Sequence, residues 1–185
     1  MTTPLRTATQ QTVHAEALAV YQAMPKKALT DYMIEHFHEK HRSQLPDLIN
    51  LARKIEDVHN DHSDCPTGLA DHLQAMYQEL ESHMMKEEQI LFPMLAGDIY
   101  PKGPIAVMEE EHDQHEQMLA HLLELTHQCN APRDACGSWI MLYEGINEFV
   151  HDLQQHIAIE NAVVFKQPEQ KSSGHGNGHC CGGCQ

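Results

Sequence analysis

The stretch Glu79–Met94, ELESHMMKEEQILFPM, sets Leu80, His83, Glu87, Ile90 and Met94 alternately three and four residues apart. That spacing gathers side chains on one face of an α-helix. Extended back through Leu69, Leu73 and Met76, the stripe is the seam of a bundle helix, yet two of its positions are a histidine and a glutamate. The same seam recurs around Ile146–Phe165, INEFVHDLQQHIAIENAVVF, as Leu142, Ile146, Phe149, Leu153, His156, Glu160 and Val163. A third runs Ile34, His38, His41, Leu45, Leu48, Ala52, Ile55, His59, and a fourth Ile105, Met108, His112, His115, Leu119, Leu122. Gly and Pro punctuation bounds the four segments, helices A, B, C and D, near residues 28–59, 68–95, 104–128 and 132–167. The spacing predicts an all-α fold, an antiparallel up-down four-helix bundle.

Outside the bundle, an amphipathic stretch over residues 8–24 ends at Pro25. It predicts a short N-terminal helical extension within residues 1–27, ahead of a bundle over 28–167. Residues 168–185 change to a Gly/His/Cys composition with nothing apolar to pack, which predicts a flexible tail. The 185 residues carry 27 acidic against 12 basic side chains, net charge −15, with sixteen histidines. Such a field repels nucleic acid and anionic lipid and favours cations. Met1–Gln10 has no apolar core of a signal peptide, and no segment approaches the roughly 18 apolar residues of a spanning helix, so a cytoplasmic protein is expected. Cys65, Cys129 and Cys136 are scattered while Cys180, Cys181 and Cys184 crowd the end, a distribution of reduced thiols rather than of a disulfide framework.

On the predicted seams, His38, His83, Glu87, His112, His156 and Glu160 fall where solvent cannot satisfy them. A buried carboxylate without partners costs several kcal/mol, about the scale of a whole domain's stability, and a metal supplies the missing charge. The four-residue steps from His83 to Glu87 and from His156 to Glu160 let an imidazole bind one ion while the carboxylate bridges to a second. Imidazole plus carboxylate suits iron, manganese or zinc, and bridging carboxylates in a bundle favour iron. The other reading is a hydrogen-bonded polar network without metal. Counted inward from the loops, His38, Glu87 and His112 are nearly level, but helices C and D disagree by about two turns. His59 lies roughly 31 Å along its helix from His38 and is not expected to be a ligand. His41 and His115, one turn from strong candidates, are each open to three roles: fifth ligand, orienter of a ligand, or core histidine.

These residues carry a resemblance. HFHEKHRSQLPDLI (His36–Ile49), ELESHMMKEEQILFPM, GPIAVMEEEHD (Gly103–Asp113) and INEFVHDLQQHIAIENAVVF resemble the hemerythrin-like di-iron domain of the repair of iron centres family, over about Ala28–Phe165. The resemblance implies two non-haem irons in an oxo- or hydroxo-bridged centre, with His38, His83, His112 and His156 as ligands and Glu87 and Glu160 as bridges. It implies a stress-response protein that helps restore iron–sulfur clusters after nitrosative or oxidative damage by donating iron, and that reacts with nitric oxide. The partners implied are damaged iron–sulfur proteins or the cluster-assembly machinery. Glu79 and Glu111 match family acids that resemble an iron exit route or a shell around the ligands.

The chain departs from the family in two places. Members often begin with a small domain bearing a vicinal Cys-Cys-Gly-Gly motif, for which residues 1–27 are too short, while its letters recur at His179-Cys180-Cys181-Gly182-Gly183-Cys184. The tail thiols are expected to bind a soft metal, to exchange thiols, or to be passive. Competing functions are nitric oxide binding or reduction to nitrous oxide at the iron pair, and carriage of oxygen or nitric oxide without turnover. A homodimer through helices C and D around Trp139 and Tyr143 is a further expectation, against the alternative that both are core residues.

Overall fold

The computed structural model describes residues 18–167. Four long helices account for most of them: α1 over 26–58, α2 over 69–96, α3 over Lys102–Leu125 and α4 over 137–164. No strand occurs among the described residues, and none of their helices is long and apolar enough to cross a membrane. Residues 18–22 are also helical and stop before Pro25, which begins α1; the rest of the predicted N-terminal stretch lies outside the described residues. Pro46 sits inside α1 without ending it. Gly68, at φ 88°, takes the left-handed conformation that turns the chain into α2.

Side-chain links across the helix pairs show that neighbours run antiparallel. Arg42 Nε donates to Glu81 Oε2 at 2.7 Å and Arg53 Nη2 to Gln74 Oε1 at 3.4 Å, so α2 descends as α1 rises. Between α1 and α4, Lys40 pairs with Asp152 at 2.6 Å, and the Lys54 ammonium donates to Ser138 Oγ at 3.4 Å. Gly145 lets these two helices close up: a Cβ there would meet Leu48 Cδ2 at 2.8 Å. The α3–α4 pair is the least closely packed of the four adjacent pairs. At the end of α4, Lys26 donates to the Val163 and Val164 carbonyls, both at 3.0 Å, and Tyr100 to that of Phe165 at 2.8 Å. These donors satisfy carbonyls that the helix end leaves free.

The apolar seams form two clusters, and the polar seam positions lie between them. One holds Leu45, Leu73, Leu80, Leu122, Trp139 and Phe149 with their neighbours; the other holds Leu29, Met33, Leu91, Ile105, Val164 and Phe165 with theirs. Trp139 and Tyr143 are buried in the first cluster, so the face expected to supply a dimer contact through them is core.

Three helices depart from regular α geometry at the polar layer. Ile34–His38, Glu87–Leu91 and Glu160–Val164 are π-helical turns, in which the Glu39, Phe92 and Phe165 amides bond back to Ile34, Glu87 and Glu160. Each wide turn takes up one extra residue and shifts the seam by one. Leu91 and Leu95 are therefore buried beyond Glu87, whereas Ile90 is exposed and Met94 only half-buried, against the predicted stripe. Ahead of His38 the shift puts Met33 and Phe37 inside and leaves Ile34 half-buried. In α3, which has no such turn, all six predicted seam residues are buried.

The disagreement in level between helices C and D resolves in the connection. His38, Glu87 and His156 lie about 20, 18 and 19 residues from the far ends of their helices, while His112 is only about 13 from Leu125, a shortfall of about 9 Å. Residues 126–136 climb that distance, turning through left-handed conformations at His127, Gln128 and Cys129. His59 is at this far end, its Nε2 3.3 Å from Cys136 Sγ and its ring against Trp139.

Candidate metal centre

The polar layer gathers the six seam residues from all four helices into two groups of donors. His38, Glu87, His156 and Glu160 form one, and His83, Glu87, His112 and Glu160 the other; within each, four donor atoms lie within 4.8 Å of one another. Both carboxylates belong to both groups, and all six side chains are buried. Two ions sharing two carboxylates is the layout these groups offer.

The donors fit a cation better than they fit each other. His38 Nε2 and His83 Nε2 lie 3.4 and 3.5 Å from Glu87 Oε2, and His112 Nε2 and His156 Nε2 each lie 3.1 Å from a Glu160 oxygen. Nevertheless, both oxygens of Glu87 and of Glu160, with Nε2 of His38 and His156, have no hydrogen-bond partner. The separations are short while the angles are wrong, as expected of atoms arranged around a third body. His83 Nε2 also faces His112 Nε2 at 3.1 Å. Each ring donates its Nδ1–H elsewhere, so two lone pairs confront each other, and only a proton or a cation between them relieves the contact.

Three of the four imidazoles are oriented from the next helix round the bundle. His38 Nδ1 donates to Glu88 Oε1 at 2.7 Å, His83 Nδ1 to Glu111 Oε2 at 2.9 Å, and His112 Nδ1 to Asn161 Oδ1 at 2.9 Å. Arg42 holds Glu88 through a 2.9 Å bond, and Lys86 donates to Glu111. These bonds fix the tautomer that leaves Nε2 free to ligate. His156 Nδ1 has no partner; its ring packs against Phe37, at 5.4 Å, and His41, at 5.3 Å, which touch each other at 6.4 Å.

Titration in this layer follows from burial and neighbours. Burial pushes His38 down to about 4, helped by the His156 ring, and His83 down to about 2. His115 falls to about 4 and His41 well below the ordinary imidazole range, burial again leading. These rings stay neutral with lone pairs available. Burial, reinforced by the charge of Glu160, holds the Glu87 carboxyl well above its usual range. For Glu160 burial acts upward too, but the His156 and His112 rings outweigh it and the carboxylate is held ionised. His112 is raised because Glu160 overcomes burial. A cation entering the layer therefore competes with the protons that the raised Glu87 and His112 groups favour. Metal binding is expected to release protons and to weaken as pH falls, because both groups are held above their ordinary values and protons compete with the ion. Calorimetric titration in buffers of different ionisation enthalpy measures that release; binding without it would contradict this account of the layer.

Not every residue singled out in the sequence joins the layer. Glu111 does, through His83, whereas Glu79 is exposed and outside both donor groups. His41 and His115 are buried one turn away, stacked against His156 and edge-on to His83, and neither belongs to a donor group. Neither ring nitrogen of His41 has a partner. The tail residues Cys180, Cys181 and Cys184 lie outside the described residues. Reading the seam alone missed Glu88, Asn161, Arg42 and Lys86. The signal for the first two was their position directly after Glu87 and Glu160.

An antiparallel four-helix bundle that surrounds two shared carboxylates with four imidazoles has the architecture of a bundle metalloprotein with paired cation positions. The chain belongs to the hemerythrin HHE cation binding domain family, whose model matches residues 29–167. It is 50% identical over 139 residues to a probable iron–sulfur cluster repair protein of Haemophilus influenzae, covering 74% of this chain and 62% of that one. It is 48% identical over 147 residues to the iron–sulfur cluster repair protein YtfE of Pectobacterium carotovorum, covering 78% and 66%. The YtfE protein of Salmonella paratyphi B is 44% identical over 147 residues, 78% of this chain and 67% of that one. The chain thus spans about two thirds of the length of these curated relatives.

Proposed function

We propose that this chain is a di-iron protein that helps repair iron–sulfur clusters damaged by nitrosative or oxidative stress, by donating iron from a labile site. The observation that carries the reading is the pair of buried four-donor groups sharing Glu87 and Glu160. In this reading His38 and His156 hold one ion, His83 and His112 the other, and the two glutamates bridge. Imidazole and carboxylate donors without thiolate suit iron. When bound, the pair supplies exchangeable ferrous ions and redox capacity. The repair role is supported by the names of the relatives, and the proposed recipients are damaged iron–sulfur proteins or the cluster-assembly machinery in the cytoplasm.

The chain's own residues set how an ion is held and released. Four protein donors per position leave an iron of higher coordination number open to an incoming ligand that can draw it off. Glu111 links His83 to Lys86 at the edge of the layer, and in this proposal it orients that ring and helps to hold the ion there. The net charge of −15 attracts cations to the chain. The test is transfer: the iron-loaded chain, anaerobic and reduced, is mixed with an iron–sulfur enzyme damaged by nitric oxide. Recovery of that enzyme's activity in proportion to iron lost from this chain is expected.

The same four-donor count leaves coordination positions for a small ligand, which favours nitric oxide binding or reduction as a second reading. Retained iron with no recovery, but with nitrous oxide evolved, would favour that reading over repair. A stable stoichiometric adduct without gas would favour carriage.

A further inference from the structure

The imidazoles of the layer are not equally anchored. In the His83/His112 group both rings donate through Nδ1, one to a carboxylate held by Lys86 and the other to the Asn161 amide. In the His38/His156 group only His38 does so, through Glu88. His156 Nδ1 is buried and unpartnered.

The difference bears directly on how firmly each ion is held. An Nδ1–H donated to an acceptor fixes the tautomer, keeps the Nε2 lone pair toward the ion and raises its basicity; losing such a partner typically costs about 10- to 100-fold in metal affinity. Stacking by Phe37 and His41 fixes the plane of the His156 ring but does none of these things. His41 adds a second asymmetry. Its ring is fully buried, stacked 5.3 Å from His156, and neither of its nitrogens has a partner, so a neutral imidazole able to accept the ion stands beside the weaker ligand. The corresponding ring beside the other group, His115, also has an unpartnered Nδ1 but meets His83 edge-on at 4.9 Å, so this second asymmetry is one of ring orientation.

Resting on the dinuclear reading above, we infer that the two metal positions are unequal and that the one formed by His38 and His156 gives up its ion first. Glu111 and Asn161 are the positioning residues that retain the other ion. An iron donor built this way delivers one ion per encounter while the second keeps the polar layer partly neutralised.

Chelator kinetics on the full chain tests this. The protein is loaded anaerobically with two ferrous ions and mixed with excess chromophoric ferrous chelator. Two phases of one ion each are expected, with rates at least about tenfold apart. Asn161→Ala removes the acceptor of His112 at an exposed position and is expected to speed the slow phase by about 10- to 100-fold, leaving the fast phase alone. Glu88→Ala, acting on His38, is expected to speed the fast phase alone. A general loss of structure would move both phases together, so the selectivity is the readout. Two bound ions leaving in one phase, or Asn161→Ala acting on the fast phase, would overturn the inference while leaving the dinuclear reading intact. A chain that binds fewer than two ions would overturn both.

Discussion

Glu87→Ala is expected to lose both ions, not one. Its carboxylate belongs to both donor groups, so its removal takes a ligand from each position and the bridge between them. The loss should exceed the about 10- to 100-fold that removing an outer hydrogen-bond partner costs. Folding and binding should separate in this variant. Without metal, Glu87 is a fully buried carboxyl with neither oxygen hydrogen-bonded, a group that costs free energy to bury. The ion-free Glu87→Gln chain is therefore expected to be no less stable in urea than the ion-free parent, although it holds no ion pair. An alanine variant that retains two ions at parental affinity would remove Glu87 from the centre.

Removing the metal from the unmodified chain is the second large effect. Ions that bind the folded chain and not the unfolded one contribute about 4 kcal/mol at a thousandfold excess over Kd. Each kcal/mol moves the midpoint of a domain this size by about 2–4 °C, so chelation should lower Tm by on the order of 10 °C. The polar layer lies between the two apolar clusters, so the loss should be felt across the bundle rather than at one end. Melting of loaded and chelated protein measures it, and readdition of ferrous iron should restore the original value. Equal midpoints would mean that the layer is already satisfied without ions.

Much of this was legible in the sequence because a bundle seam is periodic and its polar exceptions stand out. His38, His83, Glu87, His112, His156 and Glu160 stand out as interruptions of an apolar stripe, and these are the six that the folded chain gathers. The π-helical turns were not legible. Around Glu87 the sequence reads QILFPML, apolar in both possible registers, so nothing in the pattern chose Leu91 and Leu95 over Ile90 and Met94. MIEHFH before His38 has the same ambiguity. The orienting residues were hidden for a related reason. On a regular helix Glu88 and Asn161 point about 100° away from the ligand before them, and only the paths of neighbouring helices bring them to His38 and His112. The level of helix D was undecidable because the loop before it climbs, and a count of residues does not measure climb.

In the proposed centre one buried layer holds two ions that share the Glu87 and Glu160 carboxylates. Anaerobic titration of the full chain with ferrous iron, followed by oxidation and Mössbauer spectroscopy, tests it most directly. Two irons per chain are expected, magnetically coupled through their bridges so that the oxidised pair is diamagnetic at low temperature. One iron per chain, or two uncoupled irons, would contradict it.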